Sequence, residues 1–172
     1  MITTQEVLHT SKIDTTATGM ITAVRVTGGF LDGAHIDFAP GLNCIIGARG
    51  TGKTTVLEMI RYALDQLPEA TAERKRFDAL VKENLAGGEI KIDIVTRDGL
   101  EYRVSRVWSE PPIVRTLDDQ PTGINLQGGN LFRADIISQN QIEHIAENAH
   151  SQLALLDSFE AERIAHIAMQ RR

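Results

Sequence analysis

A glycine-rich run at residues 47–54, G-A-R-G-T-G-K-T, constrains the fold of this chain more than any other feature. It matches the whole of the pattern G-x-x-x-x-G-K-[ST], the phosphate-binding P-loop or Walker A motif. An apolar run at residues 42–46 precedes it, and apolar residues recur at helical spacing over 53–66 after it. The motif requires a strand, a loop and a helix in this order. The sequence therefore predicts a P-loop within an α/β fold.

The glycines and the last two positions of this loop have distinct predicted roles. Gly47, Gly50 and Gly52 let the backbone curl so that successive N–H groups point at an anion. The positive end of the following helix adds to that attraction. Lys53 is expected to reach the β- and γ-phosphates, and the Thr54 hydroxyl to ligate Mg²⁺. ATP and Mg²⁺ are therefore the predicted cofactors, and Lys53 is the predicted catalytic residue.

The remaining positions of the loop complete the predicted phosphate site. Thr55 is expected from its position to hydrogen-bond the α-phosphate. Arg49 has two interpretations that the sequence leaves open. It contacts the γ-phosphate or a nucleotide across a dimer interface, or it is a solvent-facing loop residue. The predicted cofactor-binding residues of the loop are Gly47, Ala48, Arg49, Gly50, Thr51, Gly52, Lys53, Thr54 and Thr55.

Composition and charge define a broad class without selecting a partner. The 172 residues are 42% hydrophobic and 24% charged, which is ordinary for a soluble globular domain. The net charge of −5 gives no global attraction to nucleic acid, which stays possible as a partner but is not indicated. No run approaches the roughly 18 apolar residues of a membrane span, so we expect a cytoplasmic protein without a membrane partner. Cys44, the single cysteine, lies in an apolar run that predicts a buried side chain.

Apolar periodicity and turn residues predict the other elements. In the hairpin, a three-residue loop at 97–99 makes the alternating series of residues 90–96 and 100–104 face each other, and it places Gly99 at a left-handed position. The stretch 109–130 is rich in Pro, Gly and Asp and predicts a loop or a short edge strand. Further strands are predicted at 21–27, 34–39, 42–46 and 134–138, and helices at 53–66, 72–85, 141–147 and from 151 onward.

Two stretches around the loop carry a family resemblance. They are I-T-A-V-R-V-T-G-G-F at 21–30 and A-H-I-D-F-A-P-G-L-N-C-I-I-G-A-R-G-T-G-K-T-T at 34–55. Together they resemble the opening of SMC/RecF/RecN-like ABC-type ATPase heads, where a P-G-L-N-x-I-x-G lead-in is typical. The predicted helix and strands of 72–117 match an insertion in that family. Arg49 stands where SMC-type loops usually carry Asn, which indicates a more distant group such as the AAA-like ATPases of repair and phage-defence proteins.

The resemblance extends to a second motif, I-I-S-Q-N-Q-I-E-H-I-A at 136–146, which is similar to the family's Q-loop. It implies that Gln139 ligates Mg²⁺ and senses the γ-phosphate, with Gln141 as the alternative. It also implies a Walker B motif and a signature motif after the Q-loop, and neither follows Gln139 here. The run L-Q-G-G-N at 126–130 resembles the signature only superficially, because it precedes the Q-loop.

Three arginines are candidates for contacts with the nucleotide. Related heads place an arginine from the hairpin lobe near the phosphates, which makes Arg103 and Arg106 candidates on the second hairpin strand, Arg106 foremost. The other interpretation of that strand is a solvated face. Arg25 is expected near the adenosine.

The resemblance implies one lobe of an ABC-type head, with a mixed sheet, an antiparallel hairpin lobe and a C-terminal helix entering a possible coiled coil. We expect a flexible tail at 1–18, the head lobe at 19–150 and the start of the long helix or coiled coil at 151–172, in a truncated chain or one member of a split pair. Such a lobe would bind ATP·Mg²⁺. It would hydrolyse ATP only with the missing C-terminal lobe and as a homodimer joined through ATP.

The biological process stays open at this stage. DNA repair, chromosome maintenance and phage defence all use heads of this type. Two other functions also remain open: a stand-alone P-loop phosphotransferase, and a non-hydrolysing, nucleotide-sensing interaction module.

Overall fold

A computed structural model describes residues 19–68, 71–126, 131–132, 134, 136–137 and 139–159. The predicted tail at 1–18 and most of the L-Q-G-G-N run, residues 127–130, lie outside these ranges. The chain divides into two compact units, Met1–Ala134 and Asp135–Arg172. Within the described ranges, no helix is both long enough and apolar enough to cross a membrane.

The first unit contains five strands and two helices. In chain order they are β1 (Met20–Thr27), β2 (His35–Asp37), α1 (Lys53–Ala63), α2 (Thr71–Leu85), β3 (Glu89–Val95), β4 (Glu101–Val107) and β5 (Ile113–Arg115). The strands form one sheet in the order β2-β1-β3-β4-β5, with antiparallel pairing throughout. Helices α1 and α2 lie close to their predicted positions.

The core lies between one face of the sheet and the two helices. Alternate strand residues turn toward α1, which packs on β3 and β4, while α2 packs on α1. This follows from the period of two in the strands and the helical spacing of apolar residues in the helices. The buried residues that fill this core include Val24, Val26, Ile90, Ile92, Ile94 and Val104 from the sheet, and Val56, Met59, Ile60, Phe77, Val81 and Leu85 from the helices.

The predicted hairpin register is confirmed. Ile92 pairs with Val104, and Ile94 pairs with Tyr102. Gly99 has a φ of 76°, the left-handed conformation that the three-residue loop needs. A loop or a short edge strand was expected within 109–130, and the short strand β5 at the sheet edge is the second of these alternatives.

The segment at 42–46 does not form the predicted strand, and it lies outside the sheet. The side chains of Leu42 and Ile46 are 80% and 76% exposed, and Cys44 is exposed as well, so the prediction of a buried cysteine was wrong. A strand that is apolar on both faces needs neighbours that cover it, and none of the described residues pairs with this segment. The five described strands are all antiparallel, so they do not include the parallel part of the predicted mixed sheet.

The second unit contains two helices in contact, α3 (Gln139–Glu147) and α4 (Ala149–Phe159). Asn148 caps α4, because its Oδ1 accepts hydrogen bonds from the backbone N–H groups of His150 at 2.9 Å and Ser151 at 3.3 Å. The helix predicted from residue 151 therefore begins slightly earlier. Residues 160–172 lie outside the described ranges, and the coiled coil stays a prediction. The strand expected at 134–138 is not seen at its described positions 134, 136 and 137.

Candidate functional site

The backbone of the glycine-rich loop depends on its glycines. Gly50 and Gly52 have φ values of 83° and 89°, which side-chain-bearing residues rarely adopt. Gly52 is also the N-cap of α1. A Cβ atom at Gly47 would lie 2.7 Å from the Thr51 hydroxyl, closer than a Cβ contact allows. The loop therefore curls tightly from the end of the 42–46 segment into the first turn of α1.

Lys53 folds back over this loop. Its ammonium donates hydrogen bonds to the carbonyl oxygens of Gly47 at 2.7 Å and Ala48 at 2.6 Å. The Thr51 hydroxyl donates to the same Ala48 oxygen at 2.9 Å. A positive charge thus lies at the mouth of the loop, held by neutral carbonyl groups. A phosphate oxygen would offer the ammonium a stronger, charge-assisted hydrogen bond than these carbonyls do.

The N-terminus of α1 adds an electropositive end to the loop. Among the described residues, no side chain caps this helix, and its first turn contains no acidic residue. Thr54 is exposed and Thr55 is half-buried in that turn. Since the first N–H groups of a helix lack intrahelical partners and carry partial positive charge, this end of α1 is suited to an anion such as a polyphosphate.

Asn43 organises the segment that leads into the loop. Its Oδ1 accepts a hydrogen bond from the Ala39 N–H at 3.0 Å, and its Nδ2 donates to the carbonyl oxygens of Ala39 at 2.8 Å and Gly41 at 3.1 Å. These bonds close the turn around Pro40 and Gly41, where Gly41 has a φ of 95°. This role of Asn43 was not predicted, although an asparagine beside a Pro-Gly turn is a turn signal.

The remaining predicted ligands are Arg49 and the glutamines of α3. Arg49 is exposed in the loop, which is compatible with both of its interpretations. Gln139 is the first residue of α3, in the second unit. The side chains of Gln139 and Gln141 lie outside the described part of the structure, so ligation of Mg²⁺ by either residue stays a prediction.

Arg106 lies at the opposite end of α1 from the loop. Its Nη1 donates to the Tyr62 carbonyl at 2.6 Å and to Asp65 Oδ1 at 2.8 Å, and its Nε donates to the Glu110 carbonyl at 2.8 Å. The guanidinium also lies 4.1 Å from the centre of the Tyr62 ring. The side chain is only 10% exposed, so neither a phosphate contact nor a solvated strand face describes it. Arg106 instead holds the C-terminal end of α1 to β4.

Asp93 joins two of the sheet's arginines on the face opposite α1. Arg25 Nη1 donates to its Oδ2 at 2.6 Å, and Arg103 donates to Oδ1 at 2.7 Å and to Oδ2 at 3.1 Å. Burial raises the pKa of Asp93, but the hydrogen bonds and charges of Arg103 and Arg25 outweigh it and bring the pKa below its usual range. The hydrogen bond to Asp93 raises the pKa of Arg103. Arg25 is thus paired with Asp93 in the sheet, whereas it was predicted to lie near the adenosine.

A G-x-x-x-x-G-K-[ST] loop that curls into the N-terminus of a helix packed on a sheet is the arrangement of the P-loop class, although the strand that precedes the loop in this class is not formed at 42–46. A family model described as an AAA domain matches residues 27–170, and the chain therefore belongs to this AAA-domain family.

The chain is also similar to two archaeal proteins named DNA double-strand break repair Rad50 ATPase. The protein of Aeropyrum pernix is 27% identical over 73% of this chain and 16% of its own length. The protein of Methanopyrus kandleri is 33% identical over 42% of this chain and 8% of its own length. These findings confirm the resemblance to the N-terminal part of SMC/RecF/RecN-like ABC-type ATPase heads. The relatives support, at low identity, an SMC/Rad50-like N-terminal region. The chain spans less than a fifth of the length of either relative.

Proposed function

We propose that this chain binds ATP·Mg²⁺ through the loop at 47–54 and is the N-terminal lobe of an ABC/SMC-like ATPase. The observation that carries the proposal is the loop itself. It combines left-handed glycines at Gly50 and Gly52, an α1 N-terminus without an acidic first turn, and the Lys53 ammonium at its mouth. These groups complement the charge of a triphosphate. The AAA-domain family and the Rad50-named relatives support the same class of ligand.

Each residue of the site has a proposed task. Lys53 leaves the carbonyls of Gly47 and Ala48 and binds the β- and γ-phosphates. Thr54 directs its hydroxyl to Mg²⁺, and Gln139 supplies a second oxygen ligand. The bound nucleotide supplies a γ-phosphoryl group that can be transferred to water. The chain's own residues hold that group and neutralise its charge, which is the largest protein contribution to phosphoryl transfer.

We propose that a C-terminal ATPase lobe covers the exposed segment at 42–46. Leu42 and Ile46 are exposed at 80% and 76% although the segment has the composition of a central strand. This lobe would contribute Walker B and signature residues, and two such heads would form a homodimer through ATP. DNA double-strand break repair, the process in the names of the relatives, is the proposed process for the assembled protein.

Calorimetric titration of ATP, with and without Mg²⁺, tests the binding proposal. We expect micromolar, Mg²⁺-dependent binding by the wild-type chain and loss of binding in Lys53→Ala. Lys82→Ala, which removes an exposed lysine of α2, is the matched control and should bind as the wild type does. An absence of binding by the wild-type chain, or equal binding by Lys53→Ala, would contradict the proposal.

Turnover assays separate the candidate functions. We expect negligible ATP hydrolysis by this chain alone, because no Walker B motif follows Gln139 in its sequence. A clear ATPase rate that Lys53→Ala abolishes would show that no further lobe is needed. Phosphate transfer to a small acceptor would favour the stand-alone phosphotransferase. Association that depends on ATP but proceeds without turnover would favour the interaction module.

A further inference from the structure

Asn43 attaches the stretch that leads into the glycine-rich loop to the chain before it. Among the described residues, no backbone hydrogen bond joins residues 40–46 to the sheet. The Asn43 side chain makes hydrogen bonds in their place, to both polar groups of the Ala39 backbone and to the Gly41 carbonyl. Asn43 is half-buried, whereas its neighbours Leu42 and Cys44 are exposed. The attachment of this stretch therefore depends on one side chain.

Ala39 belongs to a part of the chain that the sheet holds in place. The N–H of Phe38, the preceding residue, donates to the Thr22 carbonyl of β1 at 2.8 Å. The Asn43 amide bonds both the N–H and the carbonyl of Ala39, at 3.0 Å and 2.8 Å, as a paired residue of an antiparallel strand would. The amide thus extends the order of β1 toward the loop, which begins at Gly47.

We propose that Asn43 positions the glycine-rich loop for phosphate binding, an inference that rests on the proposed function. Gly47, four residues after Asn43, accepts a hydrogen bond from the Lys53 ammonium at 2.7 Å. The other end of the loop continues into α1, whose C-terminal end Arg106 holds to β4. Asn43 provides the corresponding attachment at the entrance of the loop. With both ends attached, the N–H groups of the loop are ordered before a ligand arrives.

This attachment lowers the entropy that the loop loses when it binds phosphates. A backbone that is already ordered loses less freedom on binding, so its affinity is higher than that of a loop with a free entrance. The stretch at 40–46 lies outside the sheet, and Leu42 and Ile46 are exposed, so it contributes little to the free energy of unfolding of the first unit. Asn43 is therefore a positioning residue, whose loss lowers ligand affinity more than global stability.

Titration of ATP and of inorganic tripolyphosphate, each with Mg²⁺, tests this role. Asn43→Ala should weaken both ligands about tenfold, a change equal to the free energy of one or two hydrogen bonds. Asn43→Leu keeps the size of the side chain without its hydrogen bonds and should have the same effect. Thr122→Ala is the matched control, because it removes a side-chain hydrogen bond to the Val114 carbonyl at the opposite edge of the sheet. It should bind both ligands as the wild type does.

A nitroxide label on Cys44 reports on the order of the stretch directly. Cys44 follows Asn43 and is the single cysteine of the chain. The electron paramagnetic resonance spectrum should show a more mobile label in Asn43→Ala than in the wild type, and ATP with Mg²⁺ should reduce that difference. Urea denaturation should show little difference in unfolding free energy between the two proteins.

The contrary outcomes separate this inference from the proposed function. Unchanged affinity of both Asn43 variants would overturn the positioning role and leave phosphate binding by the loop intact. Weakened binding without a change in label mobility would also overturn it, since the stretch would then be ordered without Asn43. Unfolding of both variants would show that Asn43 supports the fold as a whole instead. Binding of neither ligand by the wild-type chain would overturn the proposed function and this inference with it.

Discussion

Asp93 and Lys53 differ in the groups that hold their charges. Asp93 accepts hydrogen bonds from the guanidinium groups of Arg25 and Arg103, so its charge is compensated within the sheet. Among the described residues, the hydrogen bonds of the Lys53 ammonium go to the carbonyl oxygens of Gly47 and Ala48. Hydrogen bonds between ions are stronger than those between an ion and a neutral group. The ion pairs of Asp93 therefore stabilise the fold, whereas the Lys53 ammonium can leave its carbonyl partners for an anionic ligand.

Asp93→Asn tests the ion pairs of Asp93 through the pH dependence of stability. We expect the variant to lose about 2 kcal/mol of unfolding free energy at neutral pH, because two arginines lose a charged acceptor. The folded-state pKa of Asp93 is lowered. Its contribution is therefore fully present above the unfolded pKa of about 4 and is lost as pH falls through the folded pKa.

Urea denaturation of both proteins between pH 7 and pH 3 measures this effect. The difference in unfolding free energy should be constant above about pH 5 and shrink below about pH 4. Asp98→Asn, in the exposed hairpin loop, is the control and should follow the wild type. A difference that does not change with pH would show that the Asp93 charge has no part in stability.

The glycines of the turn that carries Phe30 offer a matched pair of substitutions. Gly29 and Gly33 have φ values of 68° and 74°. A Cβ atom at Gly29 would collide with the Asn84 carbonyl, whereas nothing lies within 4 Å of one at Gly33. We expect Gly33→Ala to cost about 1 kcal/mol from backbone strain alone. Gly29→Ala should cost roughly 3 kcal/mol or more, since overpacking adds to the strain.

Thermal or urea unfolding of the two variants gives this comparison directly. Both glycines share the left-handed conformation. The difference between the stability losses of the two variants therefore measures the contact of Gly29 with α2. Equal losses of stability in the two variants would mean that the turn can move away from α2 at little cost.

At the scale of elements, α1 is held differently at its two ends. Its N-terminus follows the glycine-rich loop and lacks a side-chain cap among the described residues. Its C-terminus is bound by Arg106, and the Tyr62 hydroxyl donates to the Val107 carbonyl at 2.9 Å. The helix is therefore anchored to β4 at one end and leaves the other end available to a ligand. A rigid anchor at the far end helps to keep the loop in position.

Arg106→Ala should destabilise the first unit by about 2–3 kcal/mol, because it removes hydrogen bonds to the end of α1 and a cation–π contact. Arg106→Lys should recover only part of this loss, since an ammonium cannot reproduce the planar donors of a guanidinium. Arg74→Ala, which removes an exposed pair with Asp78 within α2, should cost no more than about 0.5 kcal/mol. Chemical denaturation distinguishes these values, and a loss for Arg106→Ala as small as that for Arg74→Ala would contradict this role.

At the scale of the whole molecule, the segment at 42–46 combines an apolar composition with a solvent-exposed position. Its apolar residues suit the interior of a sheet, yet Leu42, Cys44 and Ile46 are exposed. Exposed apolar side chains at alternate positions of one segment suit a surface that a partner covers. The proposed C-terminal lobe is that partner, and Cys44 provides a chemical probe of the contact.

Cys44 should react with a maleimide without denaturant, because its side chain is exposed. In complex with the proposed C-terminal lobe, we expect this reaction to slow at least about tenfold as the segment at 42–46 becomes buried. Mass spectrometry of the labelled protein measures both rates at the single cysteine of the chain.

Leu42→Asp supplies a second test of the same surface. The isolated chain should keep its stability, since Leu42 is 80% exposed, while association with the lobe should weaken. An unchanged labelling rate in the complex, together with unchanged association of Leu42→Asp, would show that the lobe binds elsewhere.

Local features of the amino-acid sequence were enough to predict much of this fold. The hairpin register follows from a three-residue loop and two alternating apolar series, so Ile92 faces Val104 as expected. The position of the glycine-rich loop before α1 follows from the motif and the helical spacing after it. These features depend on neighbours along the chain, where turn geometry and side-chain period act directly.

Other features were decided only by the tertiary structure. The same apolar run that predicted a strand at 42–46 lies outside the sheet, because a strand requires partners that its own sequence does not specify. The contacts of Arg106 with α1 and of Asp93 with Arg25 join residues that are far apart in the chain. The placement of Phe30 beside Gly52 likewise depends on how the β1–β2 turn packs against α2. The sequence by itself determined the hairpin, the helices α1 and α2 and the glycine-rich motif before α1, because these depend on neighbours along the chain. Packing between distant segments decided which side chains meet and left the segment at 42–46 outside the sheet.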